Sequence, residues 1–348
     1  MISSKPTEPF LDHDHVEDLS GRIYVTVGNV HPPGAVIAYL KYVPTHRRTY
    51  WCRGSKCYER VLKKYGADFV LSVARDYQEE IYDPSIGVTV PVVRFRNIAS
   101  VYRPRERLQE VLRNARDSVE VDAVIAYERL RACSSVNSGS IGVDGSVAVG
   151  IQNPQISDVD LVVYGCRGSL DVVESVHSSF ETVPKEVEAE RLVKMSETYR
   201  LPLEVVRAIS APYKRLYMRE RKREVNLLFS DDRCGRYGES VLIPTALVEA
   251  EVLVESFDCH SLFYPGIARV SRVLDLRILG SLRESSISTY SGVSKIVTYE
   301  SIYSYPLYRG GEIRVRGVLS IEKPTDELVI TVGTREIHSY AIPRRVSV

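Results

Sequence analysis

Methionine, tryptophan, glutamine and asparagine are scarce in this chain of 348 residues: three Met, one Trp, four Gln and six Asn. Few thermolabile side chains beside abundant charge is a tendency of proteins from hot environments, so a thermophilic source is the expectation. No apolar run reaches the ~18–20 residues that a membrane helix needs, which excludes a helical membrane span. The leader, Met1 to Gly21, lacks a basic region followed by an apolar stretch, so no signal peptide is expected and the chain reads as cytoplasmic. Neither sign of charge dominates: 46 Lys+Arg face 45 Asp+Glu, a net +1. That balance excludes a histone-like coat for polyanions but leaves room for a local basic face. Six cysteines are too sparse for a disulfide scaffold at this length.

What is present suggests more than one domain, because single cores rarely grow past ~250–300 residues. Arg22–Gly28 and Ala35–Val43 are β-branched runs either side of His31-Pro-Pro-Gly34, which predicts a β-hairpin. Cys57–Tyr65 has the spacing of a short helix, and Val88–Phe95 that of a strand; residues 1–100 form an expected N-terminal α+β domain. Helices are expected from Pro104 through Leu112, over Val119–Cys133, at Asp171–Val176 and at Leu203–Ile209. Residues 101–260 make a central domain. From 261 to 348, short β-branched runs at Val293–Tyr299, Glu312–Ile321 and Glu327–Val332 predict a small β-rich domain. The expected class is α/β at the core and α+β overall.

The chemistry concentrates in Ile141–Tyr164. A short strand ends at Gly145-Ser146, where small side chains let backbone approach a ligand and amides at a helical turn can seat phosphate. Ser157-Asp158-Val159-Asp160 then enters the apolar run Leu161–Tyr164. In a strand, residues two apart share a face, so Asp158 and Asp160 present paired carboxylates that need a cation between them. Oxygen ligands of this kind suit magnesium or manganese beside a triphosphate, in a site that activates the attacking oxygen and stabilises the leaving pyrophosphate.

This arrangement resembles the nucleotidyltransferase superfamily that includes DNA polymerase beta and the tRNA CCA-adding enzymes. Its pattern is Gly-Ser, a spacer, then Asp-x-Asp on an apolar strand; here eleven residues, Val147 to Ser157, separate Ser146 from Asp158. More closely, the chain is similar to a family of archaeal predicted nucleotidyltransferases through His31–Gly34, Val101–Arg107 and Gly145–Asp160. The resemblance implies a nucleotidyltransferase core with a mixed sheet. It implies Asp158 and Asp160 as metal ligands and catalytic groups, Gly145 and Ser146 as the nucleoside triphosphate seat, and transfer of a nucleoside monophosphate to a hydroxyl, RNA included. The alternative is a protein of this fold that binds nucleotide or RNA and transfers weakly or not at all. Superfamily members carry a third carboxylate on a later strand, and in Glu224–Phe229 the matching position is Asn226. Asp232 and Glu239 are the other candidates.

Four further features each have two readings. Cys52 and Cys57 suit half a zinc site, or else buried thiols or a disulfide. Asp12-His13-Asp14-His15 could hold a cation or be a solvated leader, the latter being expected. His31 shapes a turn. The basic stretch Arg207–Glu224, with Tyr213 and Tyr217 interleaved, is either a phosphate-tracking face offering Arg219, Arg221 and Arg223 to RNA, or a charged helix face.

Overall fold

In the computed structural model, which describes residues 9–64, 66–282, 292–334 and 337–346, the two β-branched runs do pair. They are β2 (Ile23–Thr26) and β3 (Ala35–Thr45), antiparallel across the His-Pro-Pro-Gly turn. Flanking them are β1 (His15–Asp18), β4 (Trp51–Arg53), β5 (Lys56–Arg60) and, after helix α1 (Ala67–Tyr77), β6 (Glu79–Asp83), β7 (Val88–Arg94) and β8 (Ile98–Tyr102). These make an eight-stranded sheet in the order β4-β5-β3-β2-β1-β8, with β7 on β3 and β6 on β7. The helix expected at Cys57–Tyr65 is not there: residues 56–60 are strand, closed onto β4 by a Cys52–Cys57 disulfide, and the helix begins at Ala67. Tyr65, like residues 1–8 of the leader, lies outside the described residues.

The central unit opens with α2 (Pro104–Arg113), whose proline takes the first turn, where no amide partner is lost. Helix α3 (Ser118–Cys133) is started by Asp117, whose carboxylate accepts from the amides of Val119 and Glu120. Then come β9 (Ile141–Val143), the one-turn helix α4 (Gly145–Ala148), β10 (Val159–Tyr164), α5 (Cys166–Ser175), β11 (Glu181–Thr182), α6 (Lys185–Tyr199), α7 (Leu203–Ile209), β12 (Arg215–Met218) and β13 (Arg223–Ser230). Five strands order as β11-β12-β13-β10-β9, parallel only between β10 and β13. The sheet is therefore mixed. Its apolar face, with Val159, Leu161 and Val163, is sealed by α3 and α5.

The third sheet starts at β14 (Val241–Val254), ahead of the composition change at 261. It continues with β15 (Gly266–Ser281), β16 (Val293–Thr298), β17 (Gly311–Lys323), β18 (Glu327–Val332) and β19 (Tyr340–Pro343), with α8 (Ser304–Arg309) between β16 and β17. Helices α6 and α7 bury Leu192, Val205, Val206 and Ile209 against this sheet rather than against β10. A second disulfide, Cys166–Cys259, ties the first residue of α5 to the turn after β14. The molecule is a mixed α+β protein of three sheets, and among the described residues no helix is long and apolar enough to cross a membrane.

Candidate metal and nucleotide site

Because Val159 and Leu161 are drawn into the core, Asp158 and Asp160 must face the other way. The parallel register sets Asp160 beside Asn226 of β13. The Asn226 amide donates to Asp158 Oδ2 and to Asp160 Oδ1, each at 2.7 Å, so its nitrogen sits between the two carboxylates. Its carbonyl oxygen is buried with no hydrogen-bond partner among the described residues. Asn226 thus stands on the rim where the sequence pattern calls for a third carboxylate. The other two candidates are elsewhere. Asp232 lies against Gly165, at the far end of β10, and Glu239 is exposed in the loop beyond β13.

Gly145 is required by geometry. Its φ of +65° belongs to the left-handed region, and a Cβ there would stand 2.0 Å from Asp160 Oδ2. Ser146 is buried, and its hydroxyl donates to Ser157 Oγ at 3.1 Å; Ser157 Oγ also accepts from the Asn153 amide at 2.9 Å. The pair fastens α4 to the loop that delivers Asp158.

The Asp12–His15 stretch is not a solvated leader. His15, the first residue of β1, is 0% exposed and Asp12, just before the strand, 5%; His13 and His15 lie against Asp144, the residue before Gly145. The His13 and Asp144 side chains pair through Nδ1 and Oδ2 at 2.9 Å, while His13 Nε2 lies 3.4 Å from Asp12 Oδ2 and His15 Nε2 3.4 Å from Asp144 Oδ1. His13 also has a φ of 72°, a strained backbone for a residue with a Cβ.

Electrostatics follow from this crowding. Burial, then Asp158, then Asp144 push Asp160 up to about 7. Burial would lower His13, but Asp12 and Asp144 raise it to about 9. Burial brings His15 down to about 4, leaving it neutral. Burial also works against ionised Asp144, yet His15 and His13 more than reverse it and hold Asp144 below the usual carboxylate range. With His15 neutral near pH 7, the cation beside Asp144 there is His13. Buried Lys41 on β3 adds positive potential to Asp144 and Asp160.

The basic stretch is no helix face. Arg207 lies in the last turn of α7, and the rest forms a 3-10 turn, β12, a second turn and the start of β13. Arg221 and Arg223 both bond Asp122, and Arg223 also donates to the carbonyls of Ser157 and Pro154. Arg223 therefore anchors the loop before Asp158. Arg219 is 78% exposed and paired with Glu181. Tyr213 is buried among aromatic rings. His31 accepts from the Ile37 amide at the hairpin, the turn-shaping role its sequence suggested.

The two carboxylates are oxygen donors of the type a hard divalent ion takes, with the Asn226 amide nitrogen between them and its carbonyl oxygen without a partner among the described residues. Among the described residues, the cluster of three ligand-type side chains whose atoms come together is Asp258, Cys259 and His260, and its Cys259 sulfur is committed to Cys166. Asp144, His13, His15, Asp12 and Ser157 were missed as site residues by sequence reasoning. The alternation of Asp and His at 12–15 was the available signal. Comparison with protein-family models, curated proteins and solved structures finds no match for the chain.

Proposed function

We propose that this protein binds a divalent metal with a nucleoside triphosphate at Asp158 and Asp160, and transfers the nucleoside monophosphate to a hydroxyl acceptor. The observation that carries this reading is Asn226: its amide bridges the two aspartates, so both carboxylates converge on one point. Magnesium or manganese bound there would polarise the phosphate and favour the attacking oxygen. The chain's own contribution is positional. Asp158 and Asp160 hold the ion, Gly145 leaves room beside Asp160, and the α4 turn offers the triphosphate its backbone. Ser146 is bonded to Ser157, so its part is to fix that turn against the Asp158 loop.

A second reading has its own support. Asn226 is neutral and cannot take a proton from an attacking hydroxyl. On that basis the site favours tight metal–nucleotide binding with slow transfer. Among possible acceptors RNA remains the proposal, with Arg219 as the accessible contact; Arg221 and Arg223 are engaged with Asp122. The test is incubation with each labelled triphosphate, Mg2+ or Mn2+, and RNA, scored for label transfer and released pyrophosphate, beside nucleotide binding by calorimetry. Metal-dependent binding lost in Asp160→Asn supports the reading. Equal binding by parent and Asp160→Asn overturns it.

A further inference from the structure

From Leu19 to Tyr58 the chain carries six cations (Arg22, Lys41, Arg47, Arg48, Arg53 and Lys56) and no Asp or Glu. In the folded protein part of that imbalance is neutralised and part is not. Arg53 and Lys56 of the β4–β5 hairpin are both held by Glu17. Arg47 and Arg48, in the turn from β3 to β4, are exposed and have no carboxylate partner among the described residues. The same turn presents an aromatic ring. Tyr50 is 59% exposed and makes a T-shaped contact with Trp51 at 6.3 Å, and Trp51 leans on buried Tyr42 at 6.0 Å.

The turn is fixed by its own bonds. The Thr49 hydroxyl donates to the Tyr58 carbonyl at 2.6 Å and accepts from the Trp51 amide at 3.1 Å, while the Cys52–Cys57 disulfide cross-links β4 to β5. Two free guanidiniums beside a supported ring suit a phosphate chain with unpaired bases: the cations meet phosphates and the ring meets a base. Little ordering of the protein is then left for binding to supply.

We propose that the β3–β4 turn is a binding surface for single-stranded nucleic acid, with Arg47 and Arg48 on phosphates and Tyr50 stacked on a base. A duplex hides its base faces, so the ring selects unpaired strands. The placement of the turn gives the surface a use. Trp51 and Arg53, two apart on β4, share a face. Trp51 packs on the cluster that holds Val149 and Ile151, and Arg53 donates to the Val149 carbonyl. Arg53 also lines a cavity of about 230 Å³, together with Arg103, Arg107, Arg116 and residues 148–150 at the end of α4. Tyr50 and Arg53 are three residues apart, ~10 Å along a strand. A nucleic acid stacked on Tyr50 is thereby led toward the α4 turn. Its use as an acceptor rests on the proposed transfer reaction, whereas its binding does not.

Trp51 is the chain's single tryptophan, so its emission reports on this surface alone. The test titrates the full chain with labelled oligouridylate in EDTA without triphosphate, reading anisotropy for affinity and Trp51 emission for place. Oligouridylate is expected to quench Trp51 and to bind more weakly as salt rises. Arg47→Ala with Arg48→Ala should melt with the parent and lower the slope of log affinity against log salt by about 1.4, at ~0.7 per phosphate contact on a single strand. Tyr50→Ala should lose at least fivefold in affinity at fixed salt with the slope unchanged, and Tyr50→Phe should retain the parent affinity. Oligothymidylate distinguishes the sources: weaker binding than oligouridylate assigns the surface to RNA, and equal binding to single strands of either sugar. Four results each overturn the proposal: no binding at low salt, binding with Trp51 emission unchanged, equal affinity for duplex RNA, or competition by polyglutamate as strong as by oligouridylate. Because metal and triphosphate are absent, such a result leaves the metal–nucleotide reading standing. Conversely, oligouridylate binding beside unimpaired nucleotide binding in Asp160→Asn defeats that reading alone.

Discussion

Replacing Asn226 by Asp separates a rim built for metal from one built to do without it. In the native protein the Asn226 amide gives each carboxylate a hydrogen bond of 2.7 Å. Hydrogen bonds to charged groups contribute about 1.5–3 kcal/mol each. Asn226→Asp removes both donors and adds a charge that repels two others; at an effective dielectric of 20, unit charges 4 Å apart interact by about 4 kcal/mol. Side-chain rotation and proton uptake will relieve part of this, so a net loss of about 3–5 kcal/mol is expected in EDTA at pH 8. That corresponds to a melting point lower by about 10 °C, at about 2–4 °C per kcal/mol.

The pH dependence has a definite sign. Asp160 already ionises late, near 7, because of burial and its neighbours. A new carboxyl beside it will likewise be raised above its unfolded value. A raised acid contributes stability that is present at low pH and lost as pH rises through the folded value. The gap between variant and parent should therefore be small near pH 4, widen up to about pH 7 and level off above. Saturating Mn2+ should close most of it, because an ion that binds only the folded state stabilises it. Thermal melts across pH, with EDTA and with Mn2+, measure this directly. A variant as stable as the parent in EDTA at pH 8, with no larger response to Mn2+, would refute the geometry of the rim.

Gly145→Ala should lower stability by about 2–4 kcal/mol and abolish the Mn2+ response, since its Cβ would meet Asp160 Oδ2 at 2.0 Å in a backbone region that disfavours side chains; melts with and without Mn2+ check it. Arg223→Ala should destabilise by about 3 kcal/mol and weaken metal binding, because it frees the Pro154–Ser157 loop and strips Asp122 of one partner. Arg219→Ala should leave the melting point within about 1 °C, its ion pair being exposed. If RNA binds, Arg219→Ala should also reduce the slope of log affinity against log salt by about 1, as read from filter binding at several salt concentrations. Cys166→Ser should lower stability by about 2–4 kcal/mol, because a cross-link spanning 93 residues restricts the unfolded chain; denaturant titration of the variant against the oxidised parent measures it.

How much of this was legible in the sequence depended on how local the determinants were. Hydrophobic alternation marked β10, and the two-residue period placed Asp158 and Asp160 on one face without any tertiary information. Asn226 was identified because it interrupts the largely apolar run Glu224–Phe229, and the parallel register sets it beside Asp160 of β10. Cys57–Tyr65 misled because its spacing suits a helix, whereas the pairing of β5 with β4 and β3 turns residues 56–60 into strand. Tertiary pairing outweighs propensity in so short a segment. Arg221 and Arg223 looked like phosphate contacts because Asp122, their buried partner, is remote in sequence.

The Asp12–His15 stretch shows most clearly where sequence reasoning runs out. Four ionisable residues next to a polar leader are ordinarily solvated, since burying charges without partners is costly. Here the partners arrive from elsewhere. Asp144 pairs with His13, Arg103 with Asp14, and the Gly28 amide donates to Asp12. None of these acceptors or donors is local, so no window along the chain could reveal them. Their burial also fixes the N-terminal sheet in place. Asn29 donates to the carbonyls of Asp231 and Arg233 just past β13, and Arg53 to that of Val149 just past α4. Val149 and Ile151 meanwhile share an apolar cluster with Ile23, Tyr42 and Tyr58. Contacts on both sides of the aspartate rim are thus made by one N-terminal unit. Any movement of that unit must break ion pairs and apolar packing together, so the charge around Asp144 and the placement of α4 change as one event. The site is a property of the whole chain, with its carboxylates on the central sheet and their electrostatic setting supplied by residues 12–53.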